Sequence, residues 1–180
     1  MMVQPALLAI LSRMLGRQFD SSGGLLHAIV AQKFGVERRE YEVWVLPQAN
    51  SWEVLDRSLG ERRTYNPVHG LLIEEGKTRE AHPPEIGRTY PVPPPVQMLL
   101  PAALPIWRDS DDWRVGSAEL GADSLELKIF AQDPSYVMEG TVRISQDGVA
   151  ERFSVPEFEL VIERLVVEDG RSRSSIWWGV

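Results

Sequence analysis

At 180 residues, 43% of them hydrophobic and 25% charged, the chain has the balance of a globular domain that buries roughly 70% of its unfolded surface, which excludes a disordered polymer. It contains no cysteine, which excludes disulfides, thiolate nucleophiles and cysteine-based metal sites and makes the cytoplasm the expected location. The net charge of -7 resides in residues 111–180, where 14 acidic side chains face 7 basic ones, a field that disfavours nucleic acid and favours basic partners.

The first apolar run lacks a basic flank and a small-residue cleavage site, so it reads as a folded helix over residues 5–16, with Leu7, Ile10, Leu11 and Met14 on one stripe and Gly16 at its end. No stretch approaches the ~20 uninterrupted apolar residues of a membrane-spanning helix. A second helix is expected from the cap candidates Asp20 to Ser22 through Leu25, Leu26, Ile29, Val30 and Phe34 to Gly35, with His27 among its core positions. Residues 39–46 alternate with period two and predict a strand closed by Pro47. Trp52, Leu55 and Leu59 predict a short helix before Gly60, and residues 68–75 predict another strand.

Eight of the thirteen prolines lie between positions 83 and 105, which excludes most regular structure there. Residues 91–95 are expected in polyproline II, and Pro91 with Pro94 satisfies P-x-x-P, a candidate ligand for an aromatic groove. The competing reading, which is preferred, makes residues 83–105 a structured crossover that lays Met98, Leu99, Leu104 and Trp107 onto the sheet, because exposing so much apolar surface would invite aggregation.

Residues 113–120, 125–131, 136–145, 149–155 and 158–167 are separated by turn signals at the spacing of a β-meander. Asp147-Gly148 predicts a two-residue type I′ hairpin. In the last strand the apolar positions change phase near Glu163, which predicts a bulge or a crossing between sheets. Residues 171–175 read as a flexible linker to Trp177 and Trp178, an aromatic pair expected to dock on its own domain or on a second copy.

The fold expected is α+β: a single domain, residues 1–180, with two N-terminal helices packed on a largely antiparallel twisted sheet of about seven strands. Its parts are residues 1–76, a proline-rich crossover at 77–107, a meander at 108–170 and a tail at 171–180. A closed or partly open β-barrel with helices at one side is the alternative.

The chain has no G-x-S-x-G elbow, no phosphate-cradling loop and no dinucleotide fingerprint, so no enzyme class is indicated and no cofactor is expected. His27, His69 and His82 match no metal-ligand spacing, so no metal is expected either. The Arg38-Arg39 and Arg62-Arg63 pairs, flanked by glutamates, read as surface ion pairing.

The first function expected is a protein-binding one, as inhibitor, assembly factor or immunity-type partner, through an acidic sheet surface carrying Glu126, Glu139, Glu151, Glu157 and Glu159. The remaining candidate contact residues are Pro91, Pro94, Met98, Trp107, Trp177 and Trp178. The alternatives are a carrier or sensor of a small apolar ligand, with a cavity lined by Met138, Phe153 and Phe158, and a hydrolase or lyase using His69 or His82 with a carboxylate. Homodimerisation is a further expectation.

Overall fold

The computed structural model describes residues 5–16, 24–84, 90–108, 110–133, 135 and 137–168. The helix α1 (Pro5–Gly16) is followed by the strands β1 (Leu25–Phe34), β2 (Glu37–Leu46), β3 (Ser51–Asp56), β4 (Glu61–Asn66), β5 (Gly70–Glu75) and β6 (Thr78–His82). The single-turn helix α2 (Pro94–Gln97) then precedes β7 (Trp113–Leu120), β8 (Ser124–Ala131), β9 (Glu139–Ser145), β10 (Ala150–Val155) and β11 (Phe158–Glu168).

All eleven strands form one antiparallel sheet in the order β6-β5-β4-β3-β2-β1-β11-β10-β9-β8-β7, which does not close. Two meanders, β1 to β6 and β7 to β11, are therefore joined in the middle by the pairing of β1 with β11, while β6 and β7 are the two edges. This topology dictates the crossover. Ten strand spacings of about 4.8 Å put the two edges roughly 48 Å apart measured along the sheet. Between His82 and Trp113 the chain passes from one edge to the other, and its described residues 90–108 lie over one face. Prolines, which cannot donate to a ladder, suit such a path.

The apolar side chains of the crossover cover that inner face. Val96, Met98, Leu99, Leu100, Leu104 and Ile106 are buried in one core with Leu26, Val30, Val43, Val45, Trp52 and Val54 from one meander and Leu125, Leu127, Ile129, Val142, Ile144 and Phe153 from the other. Ile10 and Met14 of α1 join this core, and Arg13 Nη1 donates to the carbonyl of Gln146 at 2.9 Å in the β9–β10 turn. The preferred crossover reading holds for Met98, Leu99 and Leu104, which are buried, while Trp107 is held at the rim by its indole N–H donating to the Pro101 carbonyl at 2.7 Å. Residues 91–95 are not a continuous polyproline II segment: Pro93 has those angles, but Pro94 and Pro95 open α2, where a missing N–H costs nothing.

The second expected helix is corrected to β1. Its run of Leu25, Leu26, Ala28, Val30 and Ala31 is buried because β1 lies at the centre of the sheet, its inner face in the core and its outer face partly covered by side chains of neighbouring strands, and such a strand loses the alternation that marks strands in sequence. The short helix expected at residues 51–60 is corrected to β3, in which Trp52 and Val54 enter the inner core and Leu55 packs on the outer face with Leu25, Trp44 and Leu46. Among the described residues the sheet has eleven strands rather than about seven, since β4 and β6 add to those expected and the second helix and the short helix are strands instead.

The bulge expected near Glu163 is present: Ile29 pairs with Arg164 and Val30 with Ile162, leaving Glu163 over. The Asp147-Gly148 hairpin is also present, but with a three-residue loop. Gly148 N–H donates to the Ser145 carbonyl, Ser145 N–H to that of Val149, and only Gly148 has a positive φ, at 75°. That is a turn closed by a glycine bulge in place of type I′.

Candidate protein-binding surface

The outer face of the central strands carries a connected set of charges. His27 bonds Glu168 through Nδ1 at 2.6 Å and Glu42 through Nε2 at 2.9 Å, and its ring stacks on Trp44 with centroids 4.9 Å apart. Arg57 donates to Glu42 at 3.1 Å and also to Glu40. Burial pushes the Glu42 carboxyl up, but the hydrogen bonds from Arg57 and His27 outweigh it and hold the group below the ordinary glutamate value. The cluster ties β11, β1 and β2 to Arg57, just past β3. Sequence reasoning had placed His27 in a helical core; the signal it missed is that Leu25, His27 and Ile29 share one face of a strand.

The expected acidic skin is neutralised in part: of its five carboxylates, Glu151 and Glu159 meet cations of their own chain. Glu159 accepts from Arg152 and, at 3.1 Å, from Lys33; the Arg152 hydrogen bond is the main cause of its lowered pKa, against the opposing effect of burial. Glu151 lies 3.4 Å from Arg143 and Glu163 pairs with Arg38. Glu126, Glu139 and Glu157 are exposed and, among the described residues, carry no ion pair. The arginine pairs behave as expected, with Arg38 on Glu163, Arg62 on Glu53 at 3.4 Å and Arg63 on Glu61.

The other expected contact residues divide. Pro91 and Pro94 are exposed and Trp107 is 38% exposed, whereas Met98 is 0% exposed and belongs to the core, because the crossover turns it onto the sheet. Trp177 and Trp178 lie outside the described residues. The histidines considered for catalysis do not converge: His69 sits exposed in the β4–β5 turn, and His82 meets Glu80 at 3.1 Å on the edge strand β6. Among the described residues no group of three or more His, Asp and Glu side chains is placed to hold a metal.

A cleft of about 440 Å³ opens where the crossover passes the end of β4. Tyr65, stacked on buried Trp52 with centroids 5.6 Å apart, and Tyr90, whose ring centroid is 6.1 Å from that of Tyr65, supply aromatic surface. Tyr90 is anchored by its hydroxyl donating to the Pro83 carbonyl at 2.9 Å, and Gln97 donates to the Val92 carbonyl at 3.0 Å. Arg108 and Asp111 bring charges of both signs to the cleft lining, with Asp111 accepting from the backbone N–H groups of Trp107 and Arg108. Of the sequence candidates among the described residues, only Pro91 lines this cleft. The tyrosines were overlooked because their convergence depends on the crossover path, and the one signal available was Tyr90 standing beside the proline run.

No protein-family model matches the sequence, and no curated protein matches it. The fold is shared with solved structures. An uncharacterized conserved protein from Thermus thermophilus is similar over 94% of both chains, with 14% identity and a TM-score of 0.52. MucB is similar over 93% of this chain and 62% of its own, with 10% identity and a TM-score of 0.50. The MucA/MucB complex of Pseudomonas aeruginosa contains a chain similar over 92% of this one and 60% of its own, with 9% identity and a TM-score of 0.50. The present chain thus spans about three fifths of the MucB chains it resembles, and the likeness is one of fold.

Proposed function

We propose that the protein is a protein-binding module whose contact surface is the cleft of the crossover and its rim. The observation that carries this reading is the open cleft of about 440 Å³, in which Tyr65, Tyr90, Pro91 and Val92 offer rigid apolar area while Asn50, Gln97, Arg108 and Asp111 offer polar groups. Rigid aromatics beside a few directed polar groups are what a peptide-sized protein segment needs for affinity and register. The shared fold with MucB, of which a structure in complex with MucA exists, supports a protein as the ligand.

A photocrosslinking residue at Ala102, on the cleft rim, should capture a partner, which is then purified and titrated against variants. Tyr90→Ala combined with Arg108→Glu should weaken that complex by about 30-fold, the usual effect of losing a tyrosine or arginine anchor. Charge reversal of Glu126 and Glu139 should change it by about threefold at most, as at rim positions. The opposite ranking would move the contact to the acidic sheet, for which Glu126, Glu139 and Glu157 are the available carboxylates. The carrier reading is less well supported, because Val96, Met98, Leu99 and Leu104 occupy the inner face and Met138 is exposed.

A further inference from the structure

The two edges of the sheet are unlike each other. Among the described residues no strand pairs with the outer side of β7, and every side chain of this strand is wholly or partly exposed. Asp112 C=O accepts from Gln132 N–H at 2.9 Å and Gly121 N–H donates to Ser124 C=O at 2.8 Å, which fixes the alternation at both ends of β7. The main-chain groups of Arg114, Ser117 and Glu119 therefore turn to β8, while those of Trp113, Val115, Ala118 and Leu120 turn outward. Of the outward N–H groups, that of Trp113 is engaged by the Pro105 carbonyl at 3.3 Å.

We infer that β7 is a self-association edge, on which a second copy of this chain pairs its own β7 antiparallel about a two-fold axis between Gly116 and Ser117. In that register Trp113 faces Leu120, Val115 faces Ala118, and Arg114 faces Glu119, each twice. Opposed residues of an antiparallel pair must share a face. In a regular strand Arg114 and Glu119, five residues apart, point to opposite faces and cannot be opposed by a two-fold. The β-bulge between Val115 and Ser117 removes the obstacle by shifting the phase once. With it, Trp113, Val115, Ala118 and Leu120 all fall on the inner face opposite Ala131, Ile129, Leu127 and Leu125, and Arg114 and Glu119 both fall on the outer face opposite Phe130 and Glu126.

Glycine at the bulge leaves room for the Phe130 ring, since a Cβ on Gly116 would come within 2.2 Å of it and the ring would have to shift. The same register opposes outward main-chain groups to outward main-chain groups, so each copy donates from Val115, Ala118 and Leu120 to outward carbonyls of the other. On the outer face Glu119 already lies beside Glu126, two carboxylates at neighbouring cross-strand positions, with Lys128 at 3.3 Å from Glu119 as their local cation. Arg114 of the second copy adds the missing positive charge to that row. The opposite edge offers no such match: a two-fold through β6 sets Glu80 against Glu80, and Pro83 and Pro84 end the strand.

Sedimentation velocity of the full chain over a dilution series tests the inference. A dimer that dissociates on dilution is expected. Arg114→Glu or Glu119→Arg alone should weaken it about tenfold or more, because each places two like-charge pairs across the axis, and the double reversal should restore it. Val115→Pro should abolish the dimer while leaving the thermal midpoint of the monomer nearly unchanged, because that N–H points out of the sheet. A chain that stays monomeric at every concentration overturns the inference, as does a dimer indifferent to these substitutions. Restoration by the double charge reversal also separates loss of association from loss of folding.

Discussion

Replacing Gly148 by alanine tests how the first helix is held against the sheet. Gly148 has φ 75°, a conformation that costs an L-residue about 1–2 kcal/mol. Gly76, with φ 56° in the β5–β6 turn, is the control, because a Cβ there meets nothing within 4 Å and Gly76→Ala carries the conformational cost alone. At Gly148 the added Cβ would lie 2.6 Å from Met14 N and 2.8 Å from Met14 Cα, which are backbone atoms of α1 and cannot rotate away. Restoring ordinary contact at 3.4 Å moves the helix by about 0.8 Å. A gap of that size forfeits a quarter to a half of the contact energy of the side chains it separates. For Ile10 and Met14, each contributing about 1.5–3 kcal/mol by burial, the added loss is about 1–3 kcal/mol. Gly148→Ala should therefore lower unfolding free energy by about 2–5 kcal/mol in urea, against about 1–2 for Gly76→Ala, and should reduce amide-exchange protection of residues 8–16 selectively. Equal losses in the two variants, or unchanged protection of α1, would refute this account of the docking.

Leu99→Ala, at a site 1% exposed where the crossover meets both meanders, should cost about 2–5 kcal/mol in denaturant melts and leave a cavity under the sheet. Asn66 is buried, with Oδ1 accepting from the N–H of Val68 at 2.7 Å and Nδ2 donating to Ser51 at 3.1 Å; Asn66→Ala should cost about 1–3 kcal/mol by the same measurement, with the β4–β5 turn opening first in amide exchange. Glu159 has a folded-state pKa lowered chiefly by Arg152, so the unfolded chain takes up this proton first as pH falls. Its contribution is complete above the ordinary value of 4.5 and is lost as pH drops through the lower folded value. Urea midpoints measured across that range should fall less steeply in Glu159→Gln than in the wild type. Glu157 holds φ 64° in the β10–β11 turn, so Glu157→Gly should raise thermal stability by about 0.5–1 kcal/mol.

The C-terminal meander was legible because its strands alternate: Leu125, Leu127 and Ile129 enter the core while Glu126 and Lys128 stay in water, as one covered face requires. Even the bulge at Glu163 was visible as a change of phase. β1 was not legible, for the opposite reason. The outer face of β1 is partly covered by its neighbours, as the burial of Leu25 beside Trp44 and Leu46 shows, and a strand with apolar residues on both faces presents a continuous apolar run that a helical stripe fits as well. β3 failed similarly, since Leu55 is apolar on the outer face where a polar residue would have marked the alternation. The candidate surface was less legible than the fold. Pro91 was singled out as one element of it, but Tyr65 and Tyr90 are 25 positions apart in the chain and meet only because the crossover returns over the sheet.

By itself the sequence determined the elements whose signal is local: the first helix, the hairpin turns with their glycines and the alternating strands of the meander, and it kept strands, though not the short helical turn at Pro94–Gln97, out of the described part of the proline run. Only the tertiary structure decided that the two meanders join through β1 and β11, that the apolar residues of the proline run cover the inner face, and that Glu151 and Glu159 meet their own arginines while Glu126, Glu139 and Glu157 do not. Those outcomes depend on which residues far apart in the chain become neighbours, and periodicity within a strand carries no information about the strand beside it.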